Sequence, residues 1–355
     1  MHHPTAIGLS MFSTKVRALY LAAIVASFLS LTVGSVRAEE LAGIRRGTAR
    51  FEPAPNESEL PARFRLPAHA FDYAQESVAH PGAVMRVSKV TFPSPVTTPH
   101  PANNTVHCEF FCPTAAGKKP GVIVLHILGG DFDLARVFCR ALASKGVAAL
   151  FLKMPYYGER REPGSPARMI SLEPEETVRG MTQAVLDIRQ ARSWLAGDEE
   201  IDPQRLGIMG ISLGGITAAL TAGIEPRFQN VCLLLAGGDM GEVAWNSKEL
   251  APLREHWTAQ GHTREQLVEA LKVIDPVTYA RSAPGRRVLM LNASRDEVVP
   301  PACTLALWRA FGKPEIVWWD AGHYSAARYL GSGMLRVVNF FADDPQHEDS
   351  KPERP

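Results

Sequence analysis

The sequence predicts an α/β protein built on a mostly parallel, doubly wound sheet with helices on both faces. Short, continuous apolar segments recur along the chain, at 122–125, 147–152, 206–209, 231–235 and 288–291. Unbroken apolar strands are typical of a parallel sheet that is covered on both sides. Helical patterns separate these segments, and the alternation of strand with helix predicts right-handed βαβ units.

The composition places the chain among globular proteins. Of its 355 residues, 46% are hydrophobic and 21% are charged, which excludes a disordered, collagenous or multi-pass membrane protein. The net charge is only +1, so nothing favours nucleic acid or an anionic membrane as a partner. The sequence implies no obligate protein partner.

The first 38 residues are predicted to be a secretory signal peptide. Lys15 and Arg17 precede a charge-free apolar stretch, and the segment Val36-Arg37-Ala38 supplies a small-residue exit. These are the three features of a cleaved signal, which predicts a secreted or periplasmic protein. An uncleaved membrane anchor is the alternative, because the uncharged stretch is just long enough to span a bilayer.

The remainder is predicted to form one domain with irregular ends. Residues 39–82 are rich in Pro, Ala and Arg without clear periodicity and are expected to form an irregular arm. The main domain is expected over 83–341, and it opens with two half-buried antiparallel strands at 85–92 and 105–111, where apolar and polar residues alternate. Residues 342–355 are expected to form a disordered tail.

Two helical regions carry specific signals. Apolar residues at three-to-four spacing from Val178 to Trp194, with Pro174 near the start and Gly197 past the end, predict a long helix. The interval at about 238–280 is longer than one crossover, and Thr263 with Gln266 predicts a capping box there. We expect this interval to form a small lid over a substrate site.

The five cysteines are expected to be buried apolar thiols. Cys108 and Cys112 lie four apart in a predicted strand, too far from each other for a disulfide. Cys139, Cys232 and Cys303 fall in predicted core elements. The odd number and the spacing disfavour a structural zinc site, while one disulfide among these thiols stays open.

A candidate nucleophile lies at a strand-to-helix turn. The segment Gly210-Ile211-Ser212-Leu213-Gly214 follows the strand at 206–209 and precedes an apolar helix. A G-x-S-x-G sequence in this context predicts a sharp turn that exposes the serine hydroxyl. The alternative, a glycine-rich turn with a bystander serine, is disfavoured by the strand before it and the helix after it.

A serine nucleophile needs a base and an orienting acid. His323 lies on a loop after the apolar strand at 316–319, and the adjacent Gly322 allows that loop to be tight. Asp296 follows the strand at 288–291 and precedes a helix that begins near Pro300, and Glu297 is the second candidate for the acid. The chain order Ser, acid, His is the order of one common serine-hydrolase architecture.

From about Gly121 to Phe341 the chain resembles the α/β-hydrolase superfamily, and within it the branch of dienelactone hydrolases, acetyl xylan esterases and prolyl-peptidase domains. The resemblance rests on Asp275-Pro276, on the segment 292–300 and on Gly322-His323. The segment 154–160, together with the nucleophile turn, also resembles the α/β-hydrolase domain-containing protein 18 group.

The resemblance implies an oxyanion hole. Its first donor would be the backbone N–H of Leu213 at a helix N-terminus, and its second would come from the loop 126–130, where Leu128 is the choice by position. Family members usually carry Gly where Ile127 stands, and a β-branched residue resists positive φ. His126 is expected to stabilise this loop rather than to act in catalysis.

Tyr156, Tyr157 and Arg160 follow the strand at 147–152, at the edge of the sheet that faces the site. They would form a substrate wall with a cationic handle. The alternative is a turn whose aromatic side chains pack against the lid.

The expected function is that of a serine esterase that hydrolyses a small-molecule, glycan or lipid ester through Ser212, His323 and Asp296, with no metal or organic cofactor. A peptidase with the same three residues is one alternative, although the residues before the domain are too few for the propeller that usually accompanies prolyl peptidases. A non-catalytic binding protein that kept the fold is the other.

Overall fold

The sheet is the feature that organises the molecule. The computed structural model describes residues 43–78, 84–280 and 285–343, so the predicted signal peptide and nearly all of the predicted tail lie outside the described residues. Within these residues the sheet has ten strands, which are β1 (Ile44–Phe51), β2 (His69–Val78), β3 (Met85–Pro93), β4 (Thr105–Pro113), β5 (Lys119–Leu125), β6 (Ala148–Leu152), β7 (Ile201–Ile211), β8 (Asn230–Leu234), β9 (Arg287–Ala293) and β10 (Glu315–Trp319).

The strand order is β1-β2-β3-β4-β6-β5-β7-β8-β9-β10. Strands β1 to β4 form an antiparallel meander, and β4 pairs antiparallel with β6. The remaining six strands, in the order β6-β5-β7-β8-β9-β10, are parallel. All five apolar segments lie in this parallel part. Every residue of β5 and β6 is buried, because both faces of the sheet are covered there.

Helices cover both faces, which confirms the doubly wound architecture. They are α1 (Asp133–Ser144), α2 (Pro174–Ala196), α3 (Leu213–Ile224), α4 (Met240–Asn246), α5 (Ala251–Ala259), α6 (Arg264–Leu271), α7 (Pro276–Tyr279), α8 (Pro301–Ala310) and α9 (Leu330–Ala342). Helices α1 and α9 share one apolar core, whereas α2, α3 and α8 share the core on the opposite face. Within the described ranges, no helix is both long and apolar enough to cross a membrane.

The long helix predicted from Val178 to Trp194 is α2. It begins at Pro174 and is followed by Gly197, whose N–H donates to carbonyls of the last helical turn. The predicted proline start and glycine end are both confirmed.

A helical insertion separates β8 from β9. It comprises residues 238–280 and contains α4 to α7. The capping box at the start of α6 is present, since Thr263 accepts from the N–H of Gln266 and the Gln266 side chain accepts from the N–H of Thr263. The Asp275 carboxylate caps α7 through the N–H of Val277 and also accepts from the N–H of Met240, so it joins the two ends of the insertion.

The prediction of an irregular arm at 39–82 is wrong for most of that segment. Residues 44–51 and 69–78 form β1 and β2 at the edge of the sheet, and only the connection between them is irregular. An edge strand is stabilised by one backbone ladder and needs little apolar periodicity, and β1 is mostly exposed. The connection is anchored by Glu57, which forms an ion pair with the buried Arg189.

The five cysteines are free and buried, as predicted. Burial raises the pKa of the Cys108, Cys139 and Cys232 thiols. These side chains therefore act as small apolar residues of the core.

Candidate active site

Ser212 lies between β7 and α3 in a strained backbone conformation. Its φ is 54° and its ψ is −117°, in a region that a residue with a side chain rarely adopts. The conformation is held because the N–H of Ser212 donates to the Leu234 carbonyl at 2.8 Å, while the N–H of Ile216 donates to the Ser212 carbonyl at 2.9 Å. Such strain costs about 1–3 kcal/mol and persists where the surrounding structure imposes it.

Glycines on both sides of the serine are required by close backbone approach. A Cβ on Gly210 would lie 2.1 Å from the Gly214 carbonyl oxygen, and a Cβ on Gly214 would lie 2.6 Å from the His126 carbonyl oxygen. A larger residue at position 210 would force α3 away from β7, and one at position 214 would force it away from the end of β5. The G-x-S-x-G spacing is therefore a packing requirement of this turn.

His323 reaches the serine from the loop after β10. Its Nε2 lies 3.0 Å from Ser212 Oγ and its Nδ1 lies 2.8 Å from Asp296 Oδ2. Since a carboxylate only accepts, the proton is on Nδ1, and Nε2 is left to accept from the serine hydroxyl. The structure thus brings together the three side chains that the sequence selected, although they lie more than eighty residues apart for two of the three pairs.

Asp296 is fixed from both sides. Its Oδ1 accepts from the N–H groups of Val298, at 2.9 Å, and Val299, at 2.7 Å, which leaves Oδ2 directed at His323. Only 7% of the residue is exposed. The two backbone donors set the orientation of the carboxylate that holds the imidazole.

Glu297, the second candidate for the acid, contacts the histidine through the main chain instead. Its Oε2 accepts from the N–H of His323 at 3.1 Å. A Cβ on Gly322 would lie 2.5 Å from that oxygen, so the glycine allows the carboxylate to reach the loop. Glu297 therefore stabilises the loop that carries the imidazole.

The two residues predicted as oxyanion donors both lie beside Ser212. Leu213 is the first residue of α3, where backbone N–H groups have no carbonyl acceptor within the helix. Leu128 lines the cavities that meet at Ser212. The positive φ angles of the loop 126–130 fall on Gly129 (91°) and Gly130 (75°), and Ile127 is not among the described residues with positive φ, so its branched side chain is tolerated.

His126 fixes this loop, as expected. Its Nε2 accepts from the N–H of Met154 at 3.1 Å, so Nδ1 carries the proton and donates to the Ile127 carbonyl at 2.8 Å. Burial lowers the pKa of His126 to about 4, which keeps the ring neutral at physiological pH. The ring also packs edge-on against Tyr157, with 4.6 Å between centroids.

Arg160 is not a cationic handle for substrate, and that prediction is wrong. Its side chain is fully buried and forms an ion pair with Asp187 at 2.7 Å, and it also donates to the carbonyls of Asn103 and Lys153. Burial raises the pKa of the Asp187 carboxyl although Arg160 opposes this. A guanidinium engaged in this way ties the turn at 158–160 to α2.

Tyr156 and Tyr157 do not form the predicted substrate wall. Neither is among the described residues that line the cavities at Ser212. The Tyr157 hydroxyl bonds the backbone at Gly129, and burial raises the pKa of Tyr157 to about 12. The Tyr156 ring packs edge-on against His100. The alternative prediction of aromatic packing therefore holds, but these tyrosines contact loops and not the helical insertion.

Two apolar cavities meet at Ser212. The first, the histidine-side cavity, is lined by Leu134, Trp319, His323, Tyr324 and Leu330 among others. The second, the insertion-side cavity, lies between α3 and the helical insertion and has room for about four to six water molecules. Its lining is mostly aliphatic: Leu128, Ile170, Leu213, Ile216, Met240, Val243, Ala244, Leu250, Leu253, Leu271, Val298 and Val299, with Thr177, Ser247 and Glu249 as further polar residues.

Sequence reasoning missed the two polar residues that the insertion contributes. Glu249 lines both cavities and accepts a hydrogen bond from the Tyr324 hydroxyl. Ser247 is fully buried in the wall of the insertion-side cavity. Neither belongs to a motif, so nothing short of the folded insertion could have identified them. In the described part of the chain, no three His, Cys, Asp or Glu side chains are grouped as a metal site would require.

Two families match parts of the chain. The Prolyl oligopeptidase family matches residues 180–329, and the family named Alpha/beta hydrolase domain containing 18 matches residues 87–241. Two uncharacterized proteins of Mycobacterium tuberculosis are also similar. One is 31% identical over 42% of this chain and 35% of its own length, and the other is 26% identical over 65% and 73%. The chain thus spans about a third of the first of these relatives.

Solved structures share the fold. An acetyl xylan esterase from a Paenibacillus species superposes with a TM-score of 0.59 at 18% identity, over 80% of this chain and 90% of that one. Acetyl xylan esterase 1 from a Thermoanaerobacterium species gives 0.59 at 19% identity, over 76% and 87%. An esterase from Pyrobaculum calidifontis gives 0.51 at 17%, over 73% and 85%. At these identities the likeness shows a common fold.

Proposed function

The chain is a member of the α/β-hydrolase superfamily, and on this premise we propose that it is a serine esterase. The observation that carries the proposal is the continuous hydrogen-bonded series from Ser212 through His323 to Asp296, with the serine held at a positive φ on the floor of an apolar site. A bystander serine would need neither the strained turn nor an imidazole fixed at both ring nitrogens.

In the proposed first half of the reaction, Ser212 Oγ attacks the ester carbonyl carbon while His323 Nε2 takes the hydroxyl proton. Asp296 stabilises the resulting imidazolium and keeps its Nδ1–H directed at the carboxylate. The tetrahedral oxyanion is stabilised by the N–H of Leu213 and by that of Leu128. The C–O bond to the alcohol then breaks, and His323 returns the proton to the leaving oxygen.

In the second half, water repeats the sequence on the acyl-enzyme. His323 takes a proton from the water as its oxygen attacks the acyl carbon, and it returns that proton to Ser212 Oγ as the acid is released. The side chains of this cycle need no metal or organic cofactor. Ser212 is buried, and it lines both cavities, where a bound ester can reach it.

A serine peptidase is the second candidate, because the Prolyl oligopeptidase family matches the segment that contains all three proposed catalytic residues. The same residues can cleave an amide, provided that the leaving amine is protonated by His323. Esters and matched peptide amides of the same acyl group distinguish the two candidates, and we expect the esters to be hydrolysed faster.

The direct test is labelling with a fluorophosphonate probe, followed by mass spectrometry of the labelled peptide. We expect the label on Ser212, no label in Ser212→Ala, and strongly reduced labelling in His323→Ala. Ser332→Ala, an exposed serine on α9, is the matched control and should label like the parent protein. A folded parent protein that stays unlabelled would contradict the proposal and would favour a binding function.

We further propose that the protein is exported by its N-terminal segment. Lys15, Arg17 and the apolar stretch up to Val36 support this, as does the small residue Ala38. Expression of the full chain in a bacterial host, with N-terminal sequencing of the periplasmic fraction, should give Glu39 as the first residue. An intact N-terminus in the membrane fraction would indicate the uncleaved anchor instead.

A further inference from the structure

The position of His323 assigns different parts of the ester substrate to the two cavities at Ser212. In the proposed reaction His323 Nε2 must donate to the leaving oxygen, so the alcohol has to lie on the side of the serine where the imidazole is. The cavity lined by His323 and Tyr324 is therefore the alcohol side. The insertion-side cavity, lined by Leu213 and Ile216 of α3, is left for the acyl group.

The acyl side is almost entirely aliphatic, and this argues against an acetyl group as its natural occupant. An acetyl methyl would leave uncovered the side chains that the insertion contributes, such as Met240, Val243 and Leu253. Apolar surface gains free energy only when an apolar group covers it. An extended aliphatic chain fits this lining.

One polar atom in the wall breaks the pattern. Ser247 is fully buried, and its Oγ has no hydrogen-bond partner among the described residues. The other polar side chains of this wall are engaged: the Thr177 hydroxyl bonds both backbone groups of Ser171, and Glu249 accepts from Tyr324. Native structures rarely leave a buried hydroxyl without a partner, and one that does so calls for an explanation.

A bound water is a poor explanation here. A buried water is held by two to four polar partners, about three on average. The wall around Ser247 offers mainly methyl and methylene groups, and its other two hydroxyls, those of Thr177 and Ser212, are already engaged. A ligand oxygen delivered on an apolar chain would satisfy Ser247 and cover the aliphatic wall at once.

We propose that the insertion-side cavity binds the acyl chain of a medium-length aliphatic ester that carries a hydroxyl or keto oxygen along the chain, and that Ser247 Oγ hydrogen-bonds that oxygen. The inference rests on the proposed esterase function. Ser247 is a specificity-determining residue in this account, because it discriminates between acyl chains and takes no part in bond breaking. The reacting atoms and the proton transfers are those of the esterase reaction.

The test is a matched series of para-nitrophenyl esters: octanoate, and octanoates that carry one hydroxyl or one keto oxygen at successive chain positions. For the parent protein we expect one oxygenated isomer to exceed plain octanoate in kcat/KM by about 10- to 100-fold, since a site group left without its partner costs about that much. In Ser247→Ala the ratio of kcat/KM for that isomer to kcat/KM for plain octanoate should fall to about one, because the partner of the chain oxygen is removed.

Val243→Ala is the matched control, because it enlarges the same cavity and keeps the hydroxyl. It should change all esters by a similar factor and preserve the preference. An equal rate for plain and oxygenated esters in the parent protein, or a preference that survives in Ser247→Ala, would overturn the inference while leaving the esterase function standing. Absence of both ester hydrolysis and fluorophosphonate labelling would overturn both.

Discussion

Tyr324, the residue directly after His323, donates its hydroxyl hydrogen to the carboxylate of Glu249 in the helical insertion. Its ring meanwhile packs edge-on against the His323 imidazole, with 5.4 Å between centroids. One side chain therefore joins the insertion to the loop that carries the proposed base. Glu249 lines both cavities at Ser212, so this contact also defines the boundary between them.

Removal of the Tyr324 hydroxyl should loosen the insertion over the site. A hydrogen bond to a charged group contributes about 1.5–3 kcal/mol when buried, and both partners here are half-exposed, so we expect about 1 kcal/mol. In Tyr324→Phe, KM for an ester should rise about fivefold with kcat nearly unchanged, because the ring still packs against His323. Steady-state kinetics beside Tyr329→Phe, a hydroxyl removed outside this contact, checks the expectation; an unchanged KM would mean that the contact does not order the site.

Replacement of Asp296, the proposed orienting acid, should lower kcat strongly even when the new side chain has the same shape. In Asp296→Asn the side-chain amide can donate to Nδ1, and this would place the imidazole proton on Nε2, where it can no longer accept from Ser212. We expect kcat to fall about 10³- to 10⁴-fold without loss of folding. Glu297→Gln keeps an oxygen for the N–H of His323 and should lose less than about tenfold. A reversed order of the two losses would make Glu297 the orienting acid.

Arg160 should matter for stability and not for substrate. Truncation to methionine leaves Asp187 buried and unpaired, and breaking a buried ion pair typically costs about 3–5 kcal/mol. We expect Arg160→Met to lower the midpoint of urea unfolding strongly and to keep kcat/KM per folded molecule within about twofold. The neighbouring exposed Arg161→Met should leave the unfolding midpoint unchanged. A stable Arg160→Met protein with a raised KM would restore the role of a substrate handle.

His126 should make the fold sensitive to acid. Burial lowers its pKa to about 4 in the folded protein, whereas the unfolded chain has the ordinary value of 6.5. Below pH 6.5 the unfolded state binds a proton that the folded state does not, so the unfolding free energy should fall between pH 6.5 and pH 4, by up to about 3 kcal/mol.

Urea unfolding at several pH values in this window, compared between the parent protein and His126→Gln, isolates that contribution. Carboxylates whose pKa is lowered by ion pairs, such as Glu109 beside Arg136, add their own acid dependence equally to both proteins. The variant should therefore show a shallower slope by the amount assigned to His126. Parallel slopes would show that the imidazole is protonated in the folded protein without penalty.

Local sequence patterns were sufficient for the elements of the parallel sheet and for the three residues of the proposed catalytic series. The reason is that most of these signals depend on neighbours in the chain: apolar runs form covered strands, and Gly210 is required by the contact of β7 with the helix α3 that follows it. Asp296 and His323 could be selected because the carboxyl ends of parallel strands meet at one edge of the sheet.

Local sequence patterns could not predict the edge strands or the contacts around the site. Strand β1 was missed because a single backbone ladder holds it without an apolar stripe. The substrate-binding role predicted for Arg160 is wrong because the sequence around an arginine that follows a strand does not show whether a buried carboxylate pairs with it. In the structure that carboxylate is Asp187 on α2.

Periodicity and spacing along the chain are enough to predict the architecture, the turn at Ser212 and the order of the candidate catalytic residues. The pairing of Arg160 with Asp187, the contact of Glu249 with Tyr324 and the unpartnered hydroxyl of Ser247 in an aliphatic wall emerge only in the folded molecule. They do so because burial and pairing depend on distance in space, and helical segments far apart in the chain set those distances when they pack.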